Sequence, residues 1–366
     1  MSTPGRVENH HNNALGFFRL LFASLVIISH VAEVADGDRH REILTKIFGT
    51  LSFGELAVTG FFIISGYLIS ASFLSSASII SYLRKRVVRI YPAFIVAFII
   101  CVFLVAPLGG ATQFTAKAYA HEIVRLLALL PPDLPAFPGS HIPVLNGAMW
   151  TIAYEFRCYV LVIILGVTGA FKRKWIIPSL SLLCMIFFHV LPPAQMAQLE
   201  KIPYSDLVVG GILPDLRFIG IFLMGSTFFL YRDKIHFTAA GTIAAFFAML
   251  IALSIRLMPD TSVAISLGFF IFGVATLSGD TWLTRINNDN DISYGVYLYG
   301  WPITKLINWW WPTMDLALVG TLTFLGACAC GWLSWRIVEK PVMSLMRSRS
   351  RVGDAGLDRI TNRTAG

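Results

Sequence analysis

An all-α membrane bundle of about ten transmembrane helices, with both termini in the cytoplasm, is predicted by three features of the sequence. Apolar runs of roughly 20 residues recur along the chain, and a run that long matches the hydrocarbon core of a bilayer. Only 14% of the 366 residues are charged and mean hydropathy is +0.69, whereas a soluble domain carries about 25% charged residues. The basic residues gather in alternate connections between the runs, which is the positive-inside pattern.

The runs fall at 15–34, 50–73, 88–108, 150–170, 175–191, 208–231, 238–257, 262–278, 292–310 and 315–338. The first, from Ala14 to Val34, is too long for a signal-peptide core, and no small-residue cleavage site follows before Asp36. It is expected to remain as the first helix. The third follows the basic stretch YLRKRVVRIYP, and the fourth opens with MWTIAYEFRCYV. The run at 175–191 is short, and 208–231 contains Pro214, Asp215 and Arg217. The ninth ends at Trp309, Trp310 and Trp311, an aromatic anchor for the outer interface.

With the N-terminus inside, the inner segments hold 18 basic residues and the outer segments 7; Arg19, Arg157, Arg217 and Lys305 fall within runs. The longest outer segment, 109–149, contains an amphipathic helix near Lys117–Leu130. A stretch with Pro131, Pro132, Pro135, Pro138 and Pro143 follows. It reads as a re-entrant cover or as a lid that binds an acceptor. Residues 1–341 form the membrane domain, and 342–366 are a basic cytoplasmic tail of disordered composition.

The sequence pI of 9.3 would suit nucleic-acid binding in a soluble protein. Here the basic residues flank apolar runs, so membrane lipids and no nucleic acid are the expected partners. Cys101, Cys158, Cys184, Cys328 and Cys330 all lie inside apolar runs, without disulfide or metal spacing. They read as small buried hydrophobes, and no metal is expected.

Ionisable groups inside a bilayer are costly, so each marks a candidate site. Arg19 and His30 are 11 residues apart in the first run, close to three helical turns, and share a face. Arg19 then sits near the cytoplasmic mouth and His30 in the outer half. Glu33 follows His30 by three residues, within reach of its ring. Glu155 lies a few residues into a helix running inward, so His30 and Glu155 are both expected roughly 7 Å below the outer surface. A histidine beside a carboxylate suits a general base. The other reading of Glu155 is a structural ion pair with Arg157 or Arg19. Arg86 and Arg89, three residues apart, share a face at the inner surface. They read as positive-inside flanking or as paired guanidinium forks for a phosphate-rich ligand such as coenzyme A.

In this order the motifs resemble the acyltransferase 3 family of integral membrane acyltransferases, which includes bacterial enzymes that O-acetylate lipopolysaccharide, exopolysaccharide and Nod factors. Arg19 with His30 is similar to the family's first-helix pair. FFIISGYLIS supplies Ser65, Gly66 and Tyr67; RKRVVRIYP supplies Arg86, Arg89 and Pro92; WTIAYEFRCY supplies Trp150 and Glu155. ISYGVYLYGWPI supplies Ser293, Tyr294 and Tyr297, and WRIVEKP supplies Glu339 and Pro341. The resemblance spans residues 14–341. Phe156 stands where many members carry a second Glu, and Gly300 where many carry His.

The resemblance implies a multi-pass enzyme of the bacterial inner membrane. Acetyl-CoA is the implied donor, entering from the cytoplasm, and a sugar hydroxyl of an envelope glycan is the implied acceptor. Arg86 and Arg89 are expected to hold its phosphates and Arg19 to steer it inward. His30 is expected to act as general base, oriented by Glu155 or Glu33. Tyr67, Trp150, Ser293 and Tyr294 are substrate-binding or structural positions. Two other classes fit part of the pattern. A transporter or flippase would also use intramembrane Arg, His and Glu, though no inverted repeat is visible. A non-catalytic scaffold would leave those charges without a role.

Overall fold

The structure is a computed structural model that describes residues 13–111, 115–192 and 211–346. All regular structure among these residues is helical. In chain order the helices are α1 (Leu15–Asp36), α2 (Ile43–Phe48), α3 (Phe53–Leu74), α4 (Ile79–Leu108), α5 (Ala116–Leu127) and α6 (Gly147–Val167). They continue as α7 (Ile176–Val190), α8 (Ile212–Leu230), α9 (Ala239–Ser254), α10 (Pro259–Leu277), α11 (Ser293–Trp310) and α12 (Leu316–Met346). Among the described residues, seven are long and apolar enough to cross a membrane: α1, α3, α4, α6, α8, α10 and α12. Helices α7 and α9 are apolar but shorter, at 15 and 16 residues. Helix α11 has 18 residues and carries Ser293, three tyrosines, Lys305 and Asn308. The protein is a polytopic membrane protein.

A helix stands at each apolar run, but several boundaries move. The third run was expected to begin at 88, after its basic stretch. Helix α4 begins at Ile79, because the Ser78 hydroxyl accepts the Ser81 amide at 3.1 Å and caps it. Arg86 and Arg89 are therefore about two and nearly three turns inside the helix, not ahead of it. Helix α12 runs past 341 to Met346. Residues 208–210 and the tail beyond Met346 lie outside the described residues. The amphipathic helix of the long connection before α6 is present as α5.

Local chemistry sets the start of α3. The Ser52 hydroxyl accepts the Glu55 amide at 3.2 Å, and the Glu55 carboxylate accepts the Ser52 amide at 2.8 Å. This capping box satisfies two backbone donors at a helix end. Two helices each contain one wide turn, Cys101–Val105 in α4 and Trp335–Glu339 in α12, of the kind often found at functional sites.

In lipid, helices associate by close packing rather than by escape from water, so small residues set the tightest crossings. Gly66 on α3 and Gly225 on α8 face each other's backbones. A Cβ on Gly66 would lie 1.9 Å from the Phe222 carbonyl oxygen, and one on Gly225 would lie 2.0 Å from that of Ile63. A buried hydrogen bond from Ser70 to Ser226, 2.8 Å, extends the same seam. Gly295 and Gly331 do the same for α11 and α12, with a Cβ on Gly295 only 2.5 Å from the Gly331 Cα. The Gly66→Ala variant is expected to lose about 1–3 kcal/mol or more, since backbone cannot rotate aside. Gly320→Ala, whose new methyl would meet only Val31 at 3.6 Å, is expected to melt with the parent. Thermal unfolding of both variants in detergent checks this.

The proline-rich segment before α6 lies against α11. Asn146, fully buried, donates its amide to the Leu298 carbonyl at 2.8 Å. The Trp301 indole donates to the Val144 carbonyl at 3.1 Å. Lys305 donates to the Ile142 carbonyl at 2.6 Å and the Ser140 hydroxyl at 3.1 Å. This fastening gives the segment the character of a cover.

Candidate active site

Helix α11 organises the site in layers. Ser293, Tyr297, Trp301 and Lys305 recur every four residues and so lie on one face. Ser293 belongs to a charged network, Tyr297 to a cavity, Trp301 to the His30 layer and Lys305 to the contact with the proline-rich segment.

The charged network centres on Asp291, in the connection just before α11. One carboxylate oxygen of Asp291 accepts from Arg19 and Arg89, each at 2.5 Å. The other accepts from Asn287 at 3.0 Å and Ser293 at 2.5 Å. Arg89 also reaches Glu339 at 3.3 Å, in the wide turn of α12. Burial pushes the Asp291 carboxyl up. The guanidinium groups of Arg19 and Arg89, with the two further hydrogen bonds, more than reverse this and hold it well below the usual carboxylate range.

Beside the network is a cavity of about 130 Å³, lined by α1, α3, α4, α6 and α11. Arg19, Arg86 and Arg89 border it together with Glu155, Ser65 and Tyr297. One oxygen of Glu155 accepts from Ser65 at 2.8 Å and from Tyr159 at 2.6 Å. The hydroxyls of Thr151 and Tyr297 are 2.6 Å apart. Arg86 differs from the other two arginines. It donates to the Ser72 hydroxyl at 3.3 Å and lies 5.9 Å from the Tyr82 and Tyr159 ring centres. Its buried Nε has no hydrogen-bond partner, and among the described residues no carboxylate pairs with it.

His30 occupies the next layer along α11, at Trp301. Its Nδ1 is 2.9 Å from a Glu33 oxygen, and its ring meets the Trp301 indole edge-to-face at 4.7 Å. Tyr297, on the cavity wall, precedes Trp301 by four residues. His30 is thus about one helical turn beyond the cavity.

The expected meeting of His30 with Glu155 is not what the side chains do. Glu33 takes the imidazole, while Ser65 and Tyr159 take Glu155, which faces the cavity with the arginines. Helix α6 begins at Gly147, which packs on Trp301 in the His30 layer, so Glu155 lies about two turns beyond that layer. Of the two arginines considered as partners for Glu155, Arg19 pairs with Asp291 and Arg157 with Asp215 at 3.4 Å. Arg86 and Arg89 share a helix face but not an environment. Of the remaining positions, Ser293 and Tyr294 line the cavity, and the Tyr294 hydroxyl donates to the Ile90 carbonyl at 3.2 Å. Tyr67 packs against Phe229 and Phe272, and Trp150 against Tyr154 and Phe218, both outside the cavity wall.

Asp291, Asn287, Thr151 and Tyr159 carry site geometry that sequence reasoning left without a role. A signal existed for Asp291. Arg19 and Arg89 required a counter-charge, and the acidic run NNDND directly precedes the Ser-Tyr motif.

The family model for the acyltransferase domain matches residues 12–336. An O-acetyl transferase of Shigella phage Sf6 is 29% identical over 344 residues, covering 90% of this chain and 96% of that protein. Nodulation protein 10 of Rhizobium leguminosarum bv. viciae is 26% identical over 383 residues, covering 95% and 98%. No solved structure matches the chain.

Proposed function

We propose a specific reaction for this chain, which belongs to the acyltransferase 3 family and is a membrane O-acyltransferase: transfer of acetyl from cytoplasmic acetyl-CoA to a sugar hydroxyl of an envelope glycan. The observation that carries the reading is the order of the layers. A cavity bordered by Arg86, a guanidinium with no paired carboxylate among the described residues, ends about one turn short of a histidine held by a carboxylate.

The donor's anionic portion binds at Arg86, and its acyl end lies in the cavity beside Glu155. With Glu33 ionised, the His30 proton sits on Nδ1 and leaves Nε2 free to accept. His30 Nε2 takes the proton of the acceptor hydroxyl as the hydroxyl oxygen attacks the thioester carbonyl. The C–S bond breaks, and the departing thiolate receives the proton back from the imidazolium. Glu33 holds the ring and offsets its positive charge in transit. The two relatives support this direction: one is an O-acetyl transferase and the other a nodulation protein.

The test uses purified protein with isotope-labelled acetyl-CoA and envelope glycan, with mass spectrometry of glycans from cells with and without the gene. Acetyl label retained in acetyl-CoA, with unchanged glycans, would sink the reading. Ten membrane helices with both ends in the cytoplasm are part of the same proposal, supported by the 18-to-7 basic split. Reporter fusions after Arg173 and after Lys340 are expected to read cytoplasm. An outside signal at either would place the donor on the wrong face.

A further inference from the structure

We infer that Asp291 is a positioning residue for the acyl donor: its carboxylate fixes Arg19 and Arg89 side by side on the cavity wall. The inference rests on the reading above, that the cavity takes an anionic donor.

Two guanidinium groups converge on one Asp291 oxygen, each at 2.5 Å. Without that carboxylate they would repel, and each would lose its nearest counter-charge in a poorly solvated place. The carboxylate is itself immobilised through its other oxygen by Asn287 and Ser293. The connection that carries it is tied down at several points. Asn287 donates to the Gly16 carbonyl at 3.0 Å and accepts the Ile292 amide at 2.7 Å. Trp335 donates to Asn290 at 3.1 Å. Gly16 leaves no gap, since a Cβ there would lie 2.8 Å from the Asn287 carbonyl oxygen. A carboxylate so held is a fixed strut rather than a gate that swings away.

Charge counting gives the test its power. Arg19, Arg86 and Arg89 contribute three positive charges at the cavity; Asp291, Glu339 and Glu155 contribute three negative. Neutralising Asp291 leaves an excess positive charge beside the cavity. If charge alone governed binding, an anionic donor would then bind more tightly. If Asp291 works by holding the arginines in place, it binds less tightly despite the added attraction.

Full-length Asp291→Asn and Asp291→Glu are purified in detergent, and acetyl-CoA binding, donor KM and kcat are measured beside thermal unfolding. The Asn variant is expected to weaken acetyl-CoA binding by about tenfold, the scale that outer-shell partners set for the ligands they orient. The change should fall on KM more than on kcat. The Glu variant, which keeps the charge on a longer arm, is expected to recover part of it. Parent-like or tighter binding by the Asn variant overturns the inference. A second measurement needs neither donor binding nor a well-behaved purified variant. Dicarbonyl labelling in native membranes, read by peptide mass spectrometry, should modify Arg19 and Arg89 faster in the Asn variant than in the parent. Arg84, exposed on the same helix as Arg89, should label equally in both. Equal labelling of Arg19 and Arg89 in variant and parent overturns the inference. Failure of the parent to bind acetyl-CoA, with faster labelling in the variant, removes the donor assignment and leaves the strut.

Discussion

Replacing His30 by alanine is expected to lower acetyl transfer by about 10²–10⁴-fold, the usual cost of removing a positioned general base, while acetyl-CoA still binds. The separation follows from the layers. The cavity wall is built by Arg86, Glu155, Tyr297 and their neighbours, and His30 lies beyond Tyr297 against Trp301. Deleting the imidazole removes the proton acceptor without touching the donor's contacts. Glu33→Gln keeps the shape of the partner but not its charge, so turnover should fall by a smaller factor than in His30→Ala. Glu155→Gln acts elsewhere, on the hydrogen bonds from Ser65 and Tyr159, and is expected to disturb donor handling first. Single-turnover transfer and equilibrium donor binding on the same preparations check these assignments. Near-parent turnover in His30→Ala would end the general-base role.

Arg86→Ala and Arg89→Ala are expected to fail in different ways, although the two residues share one motif and one helix face. Arg86 has no carboxylate partner among the described residues, so its removal strands no buried acid. Acetyl-CoA binding should drop sharply with thermal stability close to the parent, and Arg86→Lys should recover charge without the planar fork. Arg89 bridges Asp291 and Glu339, and Glu339 is only 1% exposed. Removing one partner of such a buried pair costs about 3–5 kcal/mol, because the remaining charge is left uncompensated. Arg89→Ala should therefore melt early or fail to accumulate. Thermal unfolding and donor binding measured together separate the cases. Equal behaviour of the two variants would show that the asymmetry around them does not matter.

Much of the molecule was legible from local pattern. Apolar runs marked the helices because a bilayer leaves the backbone no water to bond, and helices satisfy it internally. The amphipathic segment became α5, since its signal acts within a few residues. The pairing of His30 with Glu33 is of the same kind, three residues apart on one helix. What depended on counting residues inward from an assumed surface went astray. Glu155 was placed level with His30, but α6 already begins in the His30 layer, at Gly147 on Trp301. Arg86 and Arg89 looked like equivalent forks, and the two carboxylates that distinguish them come from residues 291 and 339, 202 and 250 residues from Arg89 in the chain.

By itself, then, the sequence determined the all-helical membrane class, the family's motif order and the residue types that carry charge into the bilayer. These follow from composition and from contacts along one helix. Only the tertiary structure decided which charges neutralise one another. It set Asp291 between Arg19 and Arg89, left Arg86 without a carboxylate partner among the described residues, and gave Glu155 to Ser65 and Tyr159. The physical reason is that an ion pair in a low-dielectric interior is fixed by distances of a few ångströms between helices. Those distances are set by crossings such as Gly66 against Gly225, where backbone meets backbone. No periodicity within a single helix encodes them.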